Sequence, residues 1–239
     1  MTQQFAGKIV VVSGASKGIG FGIAQAFARE GAETVIAASS AANLAEAQRK
    51  LAATGAKAPV TVAGDLKTLA GCEAVHRAVT ERFGRCDVLV TSAGATKAGA
   101  FVKQPDEDWH DGFALKFYSC VRLNRLFWPM LVAAQGSVVN IIGGAARTPD
   151  PEFLVGGSVN AAVANFSKGL SGLGKRDGVT VNAILPGLTE TERVHTLFKQ
   201  RAAATGITPE EARKNAIAKG GLRRLGQPEA IAALALFLA

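Results

Sequence analysis

Short apolar runs of strand length recur along this chain between segments of helix length, and this rhythm constrains the fold more than any single motif. KIVVVSG (8–14) is followed by a helical stretch to Arg29, and TVIAA (34–38) by NLAEAQRKLAATG. PVTVAGD (59–65) precedes a helical segment to about Phe83, and CDVLVTSAG (86–94) precedes another. GSVVNII (136–142) and VTVNAILPG (179–187) continue the alternation. Unbroken Val, Ile and Leu runs, rather than period-two alternation, predict strands buried on both faces. Six strand-then-helix units predict an open, parallel, doubly wound α/β sheet with helices on both faces. The 239 residues, 48% of them hydrophobic, suffice for the core of one such sheet. No repeat, low-complexity tract or linker divides them, so a single domain over 1–239 is expected.

Composition excludes several classes of function. The start, MTQQFAGKIVVV, lacks the cationic region, long apolar stretch and cleavage site of a signal peptide. No apolar run reaches membrane-spanning length, and a soluble cytoplasmic protein is expected. Cys72, Cys86 and Cys120 are scattered, as are His76, His110 and His195, so neither a disulfide framework nor a metal site is expected. The net charge of +8 is spread along the chain, with modest enrichment from Arg193 to Arg224. There Lys199, Arg201, Arg213, Lys214, Lys219 and Arg223 are interleaved with Glu190, Glu192, Glu210 and Glu211. A nucleic-acid binder concentrates its charge on one face or run. A solvated surface that also welcomes an anionic cofactor or substrate fits better, and nucleic acid is not an expected partner.

Doubly wound sheets bind ligands at the carboxyl ends of their strands, where the glycine-rich motifs of this chain fall. After the first strand comes SGASKGIGFGIAQAFA, in which Gly14, Gly18 and Gly20 frame a turn that also holds Ser16, Lys17 and Ile19. Glycine admits positive φ and lets a pyrophosphate approach the backbone, while the helix that follows offers free N–H groups. This is a Rossmann-type cradle. A dinucleotide without a 2′-phosphate is usually held by an acidic residue ending the second strand. Here that strand ends in Ala38, Ser39 and Ser40, and Lys17 lies in the glycine loop, so NADP(H) is preferred, with NAD(H) the second candidate. Residues 188–222 leave a strand end in a helical pattern and are expected to form a substrate lid. Within it Leu188, Val194, Leu197 and Phe198 offer apolar contacts, and Arg193 and His195 polar ones.

SGASKGIG, GDL (64–66), SAG (92–94), VVNI (138–141), PGLTET (186–191) and RRLGQPEAIAALALFLA (223–239) follow one another in this order. In these segments, over nearly its whole length, the chain resembles the short-chain dehydrogenase/reductase superfamily. The resemblance implies that Asp65 and Leu66 flank an adenine and that Ala93 and Gly94 pass a ribose. It also implies that Pro186, Gly187, Thr189 and Thr191 hold the nicotinamide end, with Asn160 at the ribose hydroxyls. It further implies a homodimer or homotetramer. Family members usually continue beyond the point that Ala239 occupies with a further strand and a glycine-rich end.

Members of the superfamily usually interconvert a carbonyl and an alcohol with an Asn–Ser–Tyr–Lys set. By resemblance, the serine position here is Gly143, the tyrosine position Gly156, the lysine position Asn160 and the asparagine position, counted from Trp109, Lys116. Ala161 and Ala162 pin this alignment. Asparagine and lysine have in effect exchanged places, while tyrosine and serine are gone. The chain's one tyrosine, Tyr118, is two residues past Lys116 and is expected to point elsewhere on its helix. The GxxxN segment is similar to that of a minority of the superfamily classed as oxidoreductases by similarity.

Three functions stay open at this level. The first is an NADP(H)-dependent oxidoreductase in which Lys116 supplies the proton, its pKa lowered by burial. The second is a catalytically inactive NADP(H)-binding sensor or scaffold. The third is a basic surface for RNA or an acidic partner, against which the intact SGASKGIG and PGLTET segments argue. For the first, the substrate is an apolar carbonyl or alcohol, with or without an anionic group, and His195 is the alternative acid.

Overall fold

The computed structural model describes residues 3–239. Six strands form one sheet: β1 (Ile9–Ser13), β2 (Glu33–Ala38), β3 (Val60–Ala63), β4 (Val88–Thr91), β5 (Ser137–Ile141) and β6 (Thr180–Ile184). Their order is β3-β2-β1-β4-β5-β6, and every pairing is parallel. The chain winds outward from β1 to β3, then crosses back to lay β4 on the other side of β1. The crevice between β1 and β4 is therefore the switch point where ligands of such sheets bind.

Helices α1 (Gly18–Arg29), α2 (Ala41–Ala52), α3 (Leu69–Phe83), α4 (Asp106–Gly112), α5 (Ser119–Ala134), α6 (Leu154–Asp177) and α9 (Pro228–Leu238) cover the two faces. One face packs Ile23 and Phe27 of α1 and Ala232 and Ala235 of α9 against Val10, Val12 and Ile36. The other packs Val75 and Val79 of α3 and Leu123, Phe127 and Leu131 of α5 against Val11, Val35 and Leu89. Phe27 and Phe127 are fully buried, each contributing about 1.5–3 kcal/mol of hydrophobic stabilisation.

The expectation of strands buried on both faces holds for the centre of the sheet only. Strands β1, β4 and β5 are buried throughout, whereas β3 and β6 are only partly covered. These two are the sheet's edges, and an edge has a neighbour on one side alone.

Residues 188–222 contain α7 (Glu192–Thr205) and α8 (Pro209–Lys219). Thr191 caps α7, while Thr208 and Glu211 cap α8 reciprocally with Pro209 in its first turn. Val194, Phe198, Ala202, Ala212, Ala216 and Leu225 form a small core of their own beneath the two helices. A single parallel bridge, Thr189 to Gly226, closes the base of this unit. The packed unit thus runs a few residues beyond the expected 222. Among the described residues no helix is long and apolar enough to cross a membrane, and no cluster of His, Cys, Asp and Glu could hold a metal.

Candidate active site and cofactor cleft

The phosphate end of the cleft is shaped by backbone. Gly14 has φ +67°, and a Cβ there would lie 2.7 Å from the Ala93 backbone, so the loops after β1 and β4 touch at this point. A Cβ on Gly20 would overlap the Gly14 carbonyl. Both glycines are required by close approach. Ser13 Oγ accepts from the amides of Ser92 (3.1 Å) and Ala93 (3.3 Å), which holds the segment leading to Gly94 against β1. Helix α1 begins at Gly18 with no side-chain cap and no acidic residue in its first turn. Its first amides are thus free for an anion, with Ser16 and Ile19 half-buried beside them.

Ser39 is exposed at the end of β2, and Ser40 caps α2 by accepting from the Asn43 amide at 3.2 Å. Asp65 is exposed, its carboxylate accepting from the Lys67 amide at 3.0 Å, while Leu66 is buried beneath it. Lys17 points its ammonium at Glu192 at the start of α7, 2.9 Å away, and this hydrogen bond raises its pKa. No local pattern hinted at that pair beyond an acid beside Thr191. Thr191 itself reaches the glycine loop, its methyl 3.4 Å from where a Gly18 Cβ would stand. Thr189 is buried and donates to the Gly187 carbonyl (3.1 Å), and the Pro186 carbonyl accepts from the Gly144 amide (2.7 Å).

The other end of the cleft is shaped by side chains. Between α4 and α5 the helix widens into a π-turn over Phe113–Tyr118, which carries Lys116. Such insertions re-aim side chains and are frequent at functional sites. The aliphatic chain of Lys116 lies on Gly94, with Cδ 2.9 Å from where a Cβ would be, and its ammonium donates to the Ile142 carbonyl. Burial, with Arg193 adding to it, pulls its pKa down to about 8. One residue beyond Ile142 is Gly143. A Cβ there would lie 2.8 Å from Asn160 Nδ2, so the amide of Asn160 fills the space a side chain at 143 would need. Asn160 is 5% exposed and its Oδ1 has no hydrogen-bond partner among the described residues. Lys116, Asn160 and Gly143 therefore lie close together, the first bonded to the residue before Gly143 and the second against Gly143 itself.

Gly156 does not stand open to the cleft. The ring of Phe153, one helical turn earlier, occupies the place where its side chain would begin. Phe153 was missed in the sequence, although the three-residue spacing in FLVG is a helical-turn signal. Helix α6 is held in register by Asn140 of β5, which accepts from Thr91 (2.6 Å) and donates to Ser167 (2.9 Å). Tyr118 is 48% exposed and packs against Phe117 and Arg122, away from the cleft. His195 is bound to Glu190 at 2.7 Å on the far side of the lid, near Arg213. Arg193 does turn inward, donating to the carbonyls of Gly94 (2.8 Å) and Thr96 (3.0 Å).

A dinucleotide fits this donor set. Two glycines leave room for a pyrophosphate, a helix start offers free amides, and a buried amide oxygen lacks a partner where the ribose would lie. Fold and cleft together define a Rossmann-type dinucleotide-binding architecture. Residues 8–202 match the family model described as short chain dehydrogenase, and the chain belongs to that family. It is 29% identical over 237 residues to the 3-oxoacyl-acyl-carrier-protein reductase FabG of Vibrio cholerae, covering 98% of this chain and 90% of that one. The L-sorbose reductase of Gluconobacter frateurii, solved with NADPH and L-sorbose, superposes with a TM-score of 0.91 at 31% identity, over 100% of this chain and 91% of that one. Actinorhodin polyketide ketoreductase, solved with NADPH, gives a TM-score of 0.92 at 28% identity, over 99% and 91% of the two chains. Oxidoreductases of the dehydrogenase/reductase type thus surround it.

Proposed function

We propose that the protein is an NADP(H)-dependent oxidoreductase that interconverts a small carbonyl and the corresponding alcohol, with Lys116 in place of the family's usual acid. The observation that carries this is the part-buried Lys116, set against Gly94 and beside Gly143 and Asn160, with desolvation lowering its pKa to about 8. A group with that pKa is mostly protonated at neutral pH yet gives up its proton readily, which suits general acid–base work. When bound, the dinucleotide supplies or accepts the hydride.

The chain's own residues do the rest. Lys116 gives a proton to the carbonyl oxygen, or takes one from the alcohol, and its charge stabilises a developing alkoxide. Asn160 accepts from a ribose hydroxyl through its unpartnered Oδ1 and so takes over the anchoring task of the family's lysine. Lys17, with Ser39 and Ser40, holds a 2′-phosphate. Gly143 and Gly156 contribute no chemistry, and the GxxxN segment is the trace of that change. NADPH in the two related structures supports the cofactor assignment, and NAD(H) remains the second candidate. By family resemblance the protein works as a homodimer or homotetramer.

The test is NADPH oxidation against a panel of small ketones and aldehydes, with calorimetric titration of NADPH and NADH alongside. Turnover that Lys116→Met abolishes while sparing NADPH affinity supports the proposal. NADPH binding with no turnover of any carbonyl supports a second assignment, a non-catalytic NADP(H) sensor or scaffold. The Phe153 ring filling the Gly156 position favours that one, because it leaves no room for a phenol there.

A further inference from the structure

Lys116 and Arg193 meet the same residue from two directions. The lysine chain packs on the α-carbon of Gly94, and the arginine donates to its carbonyl at 2.8 Å and to that of Thr96 at 3.0 Å. Neither cation has a carboxylate. Lys116 is bonded to the Ile142 carbonyl, and no ion pair among the described residues includes either side chain. The lid's other polar ties to the body are ion pairs: Glu192 with Lys17, Arg201 with Glu152 and Lys219 with Asp150. Arg193 alone crosses the cleft to neutral backbone acceptors.

Arg193 is an exposed residue, yet its charge disfavours the ammonium of part-buried Lys116, and backbone carbonyls neutralise neither cation. A carboxylate entering between them would. It matches the planar fork of Arg193, which has donors to spare beyond the two in use.

We infer that Arg193 is the specificity-determining residue for a carboxylate on the substrate, and that the substrates are oxo acids and their hydroxy-acid counterparts. The carboxylate lies within a few bonds of the reacting carbonyl, so that Arg193 holds it while Lys116 faces the carbonyl oxygen. In the reductive direction the carbonyl carbon gains hydride from the reduced nicotinamide and its oxygen gains the proton of Lys116. The nicotinamide is oxidised, and the carboxylate leaves unchanged. The inference rests on the proposed oxidoreductase function for its chemistry but not for its binding test.

Pyruvate, acetoacetate and their longer straight-chain homologues, each paired with its methyl ester, are titrated into the protein saturated with NADPH and then assayed for turnover. At least one acid is expected to bind and to be reduced, with its ester about tenfold to a hundredfold poorer in kcat/KM. Arg193→Gln should raise the KM for the acid by a similar factor and affect the ester much less, with NADPH affinity retained. Arg193→Lys should restore part of the loss. Acid binding to the NADPH complex without turnover, weakened in Arg193→Gln, would uphold the anion site while removing the Lys116 chemistry. Esters that match acids, equal losses on both in Arg193→Gln, or no acid binding to the complex would overturn it.

Discussion

The two ends of the cleft are built from different kinds of atoms. At the phosphate end the work falls to backbone: Gly14 and Gly20 are needed because a Cβ would strike another main chain, and α1 offers its amides whatever its side chains are. At the catalytic end it falls to side chains: Lys116 on a π-turn, Asn160 against Gly143, and Phe153 in the place of a Gly156 side chain. Backbone chemistry survives substitution as long as the turn survives. Side-chain chemistry can be redistributed among neighbouring elements without altering the sheet, provided the volumes are exchanged together. Here Asn160 fills the space beside Gly143 and Phe153 the space beside Gly156.

The largest expected effect tests the side-chain end. Lys116→Met should lower kcat about 10²–10⁴-fold, the usual contribution of a general acid, with NADPH affinity kept. The same variant has a stability signature. The lysine's pKa falls from its ordinary 10.5 to about 8 in the fold, so between these values the unfolded chain binds more protons and stability rises with pH. Below about pH 8 the folded protein carries the full penalty of the desolvated charge. Lys116→Met should therefore raise Tm at neutral pH, and its advantage should shrink as pH climbs from about 8 towards 10.5. A Tm difference that stays flat across that range would mean the ammonium is not desolvated.

Next comes the backbone end. Gly20→Val should destroy NADPH binding in calorimetry, about a hundredfold or more, and lower Tm by several degrees, because its Cβ has no space beside the Gly14 carbonyl. Retained binding would mean that the glycine loop is not the phosphate cradle. A smaller effect should follow at the paired position: Gly143→Ser would put Cβ 2.8 Å from Asn160 Nδ2, at φ +154°, and should lower stability by about 1–3 kcal/mol in thermal unfolding. Adding Asn160→Ala should recover much of that loss if the two positions exchange volume. The smallest effect concerns the lid contact. Lys17→Glu should weaken NADPH more than NADH, whereas Glu192→Gln frees the ammonium and should tighten NADPH about threefold with NADH unchanged.

The strand rhythm, the glycine loop and the absence of an acid after β2 were legible because each is a local pattern: apolar runs, a turn composition, a short polar tripeptide. They place the chain's class and the cradle without reference to any distant contact. Even there, local pattern could not say that β3 and β6 lie at the edges, since edge position belongs to the assembled sheet. The convergence of Lys116, Gly143 and Asn160 followed from family resemblance. The geometry that makes sense of it did not, because those three residues come from three separate elements.

By itself, then, the sequence determined the doubly wound sheet and the glycine-rich turn after β1. Only the tertiary structure decided what surrounds the proposed site. It turned Lys116 inward on a π-turn, set Phe153 over Gly156, paired Lys17 with Glu192 and sent Arg193 across the cleft to Gly94. The physical reason is range. Apolar periodicity and turn chemistry are fixed by neighbours along the chain, whereas burial, counter-ions and shared volume are set by residues that meet only once the chain has folded.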